Sequence, residues 1–256
     1  MGAMVIPGEL IQTYGILGEL AIANTADSAA IENNKVWYLR QNRLFDEAAP
    51  GSIESAQHLF TTCLVPDRTR VFDLGDSTRV VFLVKRGKVR ISRLTADGKE
   101  VTVAVLGAGD LFGEETLFGD APRTTTATCL EETLLCTAKA DDLFALLARN
   151  PALAMNVAKV LSGRLGEATA TLEDVAYARI PDRLMHLFLR LSAEHGVPTE
   201  RGTRVDVRLT HAEIASLIGS TRETVSLELT SLVKAGRLIQ EGRRYVVPFT
   251  EIEKTS

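Results

Sequence analysis

Leu209-Thr210-His211-Ala212-Glu213-Ile214-Ala215-Ser216-Leu217-Ile218-Gly219-Ser220-Thr221-Arg222-Glu223-Thr224-Val225-Ser226 is the stretch that decides the fold. Thr210 followed three residues later by Glu213 is a capping box, which predicts a short helix beginning just after Thr210. Ala215 is small where a second helix must cross closely, and Gly219 ends the first helix. Ser220 or Thr221 caps the next one. Its apolar residues Val225, Leu229 and Leu232 turn inward, which leaves Arg222, Glu223 and Ser226 outward near the N-terminus. This is helix-turn-helix geometry, in which the first residues of the second helix meet base edges in the major groove. Arginine can fork onto guanine and glutamate can accept from cytosine N4. A plain helical hairpin with solvated Arg and Glu would show the same residues. What separates the two readings lies downstream, where Arg237 to Val247 supplies a hairpin at Glu241-Gly242 flanked by Arg243 and Arg244. That pattern reads as the wing of a winged helix, with cations placed for phosphates. The expected DNA-contacting set is Thr210, Ser220, Thr221, Arg222, Glu223, Ser226, Arg243 and Arg244.

Upstream, Arg204 to Leu209 alternates as a strand, and Leu184, Leu187, Phe188 and Leu191 mark an amphipathic helix ending at His195-Gly196. Before it, Asn150-Pro151 breaks one helix and opens another. Along this second helix Leu153, Val157, Leu161, Leu165, Ala168, Leu172 and Val175 recur at steps of 4, 4, 4, 3, 4 and 3. The stripe runs for about 28 residues, about 40 Å at 1.5 Å per residue. Such a stripe packs either on the chain's own sheet or against a second copy. Its length, its narrowness and Ala168 at a close-approach point favour a two-helix seam, with those seven residues as the expected dimer interface.

From Val36 to about Thr137 the texture is that of short strands. Val80 to Val84 is a buried run closed by Lys85-Arg86-Gly87, and Val89 to Leu94 alternates with period two. Asp97-Gly98 makes a hairpin to Val101–Leu106. Gly75, Gly87, Gly98, Gly107, Gly109, Gly113 and Gly119 punctuate these strands, a rhythm that predicts an antiparallel barrel or jelly roll. The expected organisation is therefore an N-terminal extension over 1–34 with no assigned role, a β-roll over 35–150, a dimerisation helix over 151–178 and a winged helix-turn-helix domain over 179–256. The fold class is α+β.

Composition agrees with this division. The 256 residues carry a formal net charge of −4, yet residues 180–256 hold 11 cations against 10 anions while the rest hold 18 against 23. A mildly basic C-terminal part on an acidic N-terminal part fits a nucleic-acid partner for the former only. No run of about 18 apolar residues is present, which predicts no membrane span. The N-terminus has no basic start and apolar core, which points to the cytoplasm. Cys63, Cys129 and Cys136 form no CxxC and stand far in sequence from the histidines, which predicts neither a disulfide scaffold nor a metal site. No nucleophile–base pair emerges, so no enzymatic activity is expected.

A second constellation lies in the β region: Gly109-Asp110-Leu111-Phe112-Gly113-Glu114-Glu115-Thr116-Leu117-Phe118, followed by Pro122-Arg123-Thr124-Thr125-Thr126-Ala127. A glycine-flanked turn exposes backbone N–H groups that can hold an anion. Arg123 adds a phosphate donor, Thr124 a hydroxyl, and Glu114 a carboxylate suited to a ribose hydroxyl. Taken alone, Glu114 and Arg123 are equally suited to an internal ion pair.

The glycine-spaced roll, the Phe112-Gly113-Glu114 cassette with Pro122-Arg123-Thr124, the long helix and the Thr221-Arg222-Glu223-Thr224-Val225-Ser226 segment together resemble the cyclic-AMP receptor protein family of bacterial transcription regulators, the CRP/FNR superfamily. The resemblance covers residues 36 to about 248. It implies a β-roll sensor, a dimerising helix and a winged helix, acting as a homodimer on a palindromic operator in double-stranded DNA, with RNA polymerase as a further partner. It also implies a cyclic nucleotide as effector, cyclic AMP foremost, and no required cofactor or metal. The implied ligand residues are Gly113, Glu114, Arg123, Thr124 and, on the long helix, Thr169. In the DNA reader, Arg222 and Glu223 match two base-contacting positions, and Leu227 stands where the family has arginine. Two rival readings remain: the same regulator acting without a ligand or with another effector, and a cyclic-nucleotide-binding module of an enzyme. An Arg123→Leu variant is expected to lose nucleotide binding and melt normally.

Overall fold

The computed structural model describes Leu39–Arg40, Asn42–Ala48 and Gly51–Glu253. The N-terminal extension expected over 1–34 lies outside the described residues. Eight strands follow a short helix α1 (Ser52–Ala56): β1 (Thr61–Val65), β2 (Arg70–Phe72), β3 (Val80–Arg86), β4 (Val89–Leu94), β5 (Glu100–Leu106), β6 (Leu111–Phe112), β7 (Thr126–Cys129) and β8 (Thr133–Lys139). They form two four-stranded sheets, ordered β1-β8-β3-β6 and β2-β7-β4-β5.

The fully apolar run in β3 has a direct cause. Val80, Phe82 and Val84 point into a core between the sheets, shared with Phe72, Phe112 and Leu135. Val81 and Leu83 point the other way, into a second core. That core is closed by α1, by α2 (Ala140–Arg149) and by the first turns of α3 (Pro151–Tyr177). A strand covered on both faces cannot alternate with polar residues.

Leu153 and Val157 are two of the residues that close this second core, at 1% and 4% exposure. Leu161 packs against it as well. The first three of the seven expected seam residues are therefore corrected: those side chains are consumed by the chain's own core. Beyond them, Leu165 and Leu172 stand 70% and 71% exposed and Val175 40% exposed. The chain divides into two compact units inside α3. One holds the described residues to Gly98 together with Ala104–Gly163, and the other holds Lys99–Val103 with the described residues from Arg164 on.

The second unit contains α4 (Ile180–His195), α5 (His211–Ile218), α6 (Arg222–Lys234), α7 (Phe249–Ile252) and a four-stranded sheet ordered β11-β12-β10-β9. Its strands are β9 (Gly196–Thr199), β10 (Gly202–Val205), β11 (Ile239–Glu241) and β12 (Arg244–Pro248). The strand expected over 204–209 is thus displaced: it begins at Gly202 and stops at Val205, and its partner β9 was unforeseen. At Gly196 and Gly202 an added Cβ would collide with the Ser192 and Val247 carbonyls, so only glycine fits where β9 leaves α4 and where β10 starts against β12. Val207 stays buried after the strand ends, which is why the apolar alternation overran it.

Candidate functional site

Gly113 ends β6 in the left-handed region, at φ 76. A Cβ there would stand 2.9 Å from Arg123 Nη1 and 3.0 Å from the Val80 carbonyl, so the glycine makes room for the arginine. Arg123 is 1% exposed. Its Nη1 donates to the Gly113 carbonyl at 3.0 Å and to Glu115 Oε1 at 2.9 Å, and its Nη2 donates to the Val80 carbonyl at 2.5 Å. The guanidinium lies 4.3 Å from the centroid of the Phe72 ring, a cation–π contact. Its backbone is fixed too, with its N–H on the Asp76 carbonyl and its carbonyl receiving the Gly75 N–H.

Burying a guanidinium costs several kcal/mol unless its donors are met. Among the described residues Nε alone is left buried without a partner. The internal ion pair that the sequence allowed between Glu114 and Arg123 is corrected: the carboxylate belongs to Glu115. Both glutamates lie in one 3-10 turn, Glu114–Leu117, and that turn aims the second of them at Arg123. Glu114 is half-buried, and Thr124 is exposed beside the arginine. Thr169 belongs to the other compact unit, where its hydroxyl donates back to the Leu165 carbonyl of its own helix at 2.9 Å.

The cysteines of the first unit are shielded. Burial pushes the Cys63 thiol up to about 12 and the Cys129 thiol up to about 11, so neither is a ready thiolate. Among the described residues no cluster of His, Cys, Asp and Glu is arranged to hold a metal.

In the second unit the capping box at α5 is complete. Glu213 N–H donates to Thr210 Oγ1 at 3.2 Å, and Thr210 N–H donates to Glu213 Oε2 at 2.6 Å. Gly219 closes α5 at φ 64, with its N–H on the Ala215 and Ser216 carbonyls. Of the two candidate caps for α6, Thr221 takes the position: its Oγ1 accepts the Thr224 N–H at 3.2 Å. Ser220 stays in the turn, where its N–H donates to the Ala215 carbonyl at 2.9 Å. Val225, Leu229 and Leu232 are buried, while Arg222 and Glu223 are exposed and Ser226 half-exposed. Leu227 stands 73% exposed one turn further along.

The wing hairpin pairs Glu241 with Arg244, so its two-residue turn is Gly242-Arg243, with Gly242 at φ 61. Arg243 is exposed at that tip and makes no ion pair among the described residues. Arg244 differs, because its Nε lies 2.9 Å from Asp206 Oδ1. The two wing arginines expected to act alike are therefore unequal. No local pattern announces this, since Asp206 is far from Arg244 along the chain.

One more residue escaped the sequence reading. Arg183 on α4 donates from Nε to the Ala178 carbonyl at 2.9 Å, from Nη2 to the Val175 carbonyl at 2.7 Å and from Nη1 to the Ile218 carbonyl at 3.3 Å. It satisfies the open carbonyl ends of α3 and α5 together, a service that a lone surface arginine in a sequence does not announce.

Comparison with known proteins matches this geometry unit by unit. Residues 64–150 match the cyclic nucleotide-binding domain family, and residues 182–250 match the Crp-like helix-turn-helix domain family. The cyclic AMP receptor protein of Thermus thermophilus is 33% identical over 77% of this chain and 88% of its own. The CRP-like cAMP-activated global transcriptional regulator of Mycobacterium tuberculosis is 29% identical over 81% of this chain and 93% of its own. Among solved structures, the c-di-GMP responsive global regulator CLP of Xanthomonas campestris is similar at a TM-score of 0.67 and 26% identity, over 78% of this chain and 99% of that one. The Mycobacterium relative is by name a transcriptional regulator and the Xanthomonas one a global regulator, and no described helix is long and apolar enough to cross a membrane. With a buried arginine under a glycine turn in one unit and a capped, polar-tipped helix beside a wing in the other, the chain belongs to the CRP/FNR family of DNA-binding transcription regulators.

Proposed function

We propose that this regulator works as a homodimer on a palindromic operator and is controlled by a cyclic nucleotide, cyclic AMP foremost, whose phosphate is held by Arg123. The observation that carries the effector reading is the Nε–H of Arg123, a buried donor beneath the Gly113 turn that has no partner among the described residues. A buried donor without a partner is uncommon and marks a place where an anion gains a bond. Gly113, whose carbonyl accepts from Arg123 Nη1, completes the proposed site in this unit together with Glu114 and Thr124. The second copy is inferred from α3, where Leu165, Ala168, Leu172 and Val175 leave an exposed apolar face for a mate.

On DNA, Arg222 and Glu223 read bases, while Thr210, Ser220, Thr221 and Arg243 hold the protein to the backbone. Leu227 offers no hydrogen bond and suits a thymine methyl. RNA polymerase is the proposed partner and the cytoplasm the proposed location. Calorimetric titration of the full chain with cyclic AMP, cyclic GMP and cyclic di-GMP tests the effector. Heat with cyclic AMP that is lost in Arg123→Lys supports the reading, and silence with all three removes it.

A second reading has its own observation. Arg123 already has a carboxylate partner in Glu115, which fits a protein that is active with no ligand. Operator binding undiminished in nucleotide-free protein favours that reading.

A further inference from the structure

We propose that Glu115 is an internal counter-ion occupying the place of the effector's phosphate, so that an effector reaches Arg123 only by displacing it. The proposal rests on the reading of Arg123 as the phosphate-binding residue. Three acceptors hold the guanidinium. Two of them, the carbonyls of Val80 and Gly113, are backbone atoms fixed in β3 and in the glycine turn. The Gly113 carbonyl is held further by the Thr116 hydroxyl at 2.9 Å. The third acceptor is the carboxylate of Glu115, on a side chain that can rotate.

The pair is also lopsided in exposure: the Arg123 side chain is 0% exposed and that of Glu115 is 37% exposed. One end is therefore sealed and the other already faces water. When Glu115 swings outward its carboxylate is hydrated at little cost, whereas the guanidinium left behind is a buried charge lacking its counter-ion. An anionic phosphodiester restores that charge balance and has further oxygen atoms for the Nε–H that the internal pair leaves unmet. Glu115 thus sets the concentration at which the effector acts. Every ligand must compete with a carboxylate tethered beside the arginine, and its apparent affinity falls by the fraction of protein in which Glu115 is out.

The test uses the full-length protein as wild type, Glu115→Gln, Glu115→Ala and the control Asp120→Asn, which removes an exposed carboxylate nearby in sequence. Calorimetry with cyclic AMP, cyclic GMP and cyclic di-GMP gives the affinities. Both Glu115 variants are expected to bind the effector about tenfold or more tightly than wild type, the size of one charge-assisted bond no longer competing. Asp120→Asn is expected to stay at the wild-type value. Melting of the ligand-free proteins gives a second readout: the Glu115 variants should melt lower than wild type and regain more on adding nucleotide. If wild type binds and neither Glu115 variant binds more tightly, or if Asp120→Asn tightens binding equally, the counter-ion role is overturned while the effector reading stands. If no variant and no wild type binds any of the three nucleotides, the effector reading itself has failed and this proposal falls with it.

Discussion

Arg123 and Arg222 occupy opposite environments. Arg123 is sealed inside the β-roll, bonded to two carbonyls and a carboxylate and laid against Phe72. Arg222 stands exposed at the first position of α6 and makes no ion pair or hydrogen bond through its side chain among the described residues. The difference follows from the size of what each is proposed to meet. A small anion is held well only where water is excluded, so its cation must be buried and must have a substitute partner while the anion is away. A DNA groove is large and brings its own surface, so its reader can wait in water and needs only a rigid mount. The α5–α6 caps supply that mount.

The same contrast runs along α3 and yields the largest expected effect. Leu153 at 1% exposure belongs to the core of the first unit, whereas Leu165 at 70% does not. Leu153→Ala should cost about 2–5 kcal/mol of unfolding free energy, the range for a core leucine. Leu165→Ala should leave the unfolding free energy within about 0.5 kcal/mol apart from its effect on association. Leu165→Glu should instead weaken the proposed dimer by several kcal/mol, because it would place a charge in the proposed apolar seam. Sedimentation of an undisturbed Leu165→Glu dimer would remove this half of α3 from the interface.

Next in size is Arg123 itself. Removing the guanidinium leaves the Val80 and Gly113 carbonyls without that donor and deprives Glu115 of its partner. Arg123→Leu should therefore destabilise the first unit by about 2–4 kcal/mol rather than melt normally, as the sequence alone led one to expect. Arg222→Ala should leave the melting curve unchanged. Chemical denaturation of the two variants side by side checks the contrast, and equal destabilisation would break it.

The third effect is on DNA alone. Arg222→Ala should weaken operator binding by about 1–3 kcal/mol and relax preference at one position in each half-site. Leu227→Arg should add a guanine preference where the leucine now meets at most a methyl group. Selection from randomised half-sites reads both, and an unchanged consensus for Arg222→Ala would mean that the bases are read elsewhere.

These contrasts explain what was legible in the sequence. The β-roll, the long helix and the winged helix were all readable, because glycine spacing, heptad-like steps and a capping box are local signals. So were Gly113 and Arg123 as members of one group, and the outward face of α6. What was not readable depended on contacts between segments. Glu114 and Glu115 are adjacent, and only the turn geometry decides which of them reaches Arg123. The stripe on α3 has one unbroken pattern, yet its first turns meet a core built by β3, α1 and α2, which no periodicity along α3 reveals. Arg243 and Arg244 read as twins until the fold brings Asp206 to one of them.

The smallest expected effect tests that last distinction. Each phosphate neutralised by a cation contributes about one unit to the slope of log affinity against log salt. Arg243 is unpaired at the wing tip among the described residues, so its charge is fully available to a phosphate. Arg244 lies against Asp206, with Arg204 4.0 Å from the same carboxylate, so much of its charge is already answered within the protein. Arg243→Ala should therefore weaken binding to all sequences alike and flatten the salt slope by about one unit for each phosphate that the arginine would have neutralised. Arg244→Ala should change the slope by clearly less. Asp206→Asn separates charge from position: freeing Arg244 should strengthen non-specific DNA binding and steepen the slope, while base preference stays as in wild type. Salt titrations of operator and random DNA with the three variants measure all of this. Equal slopes for Arg243→Ala and Arg244→Ala would show that the Asp206 pair opens on DNA and that the two wing arginines act alike after all.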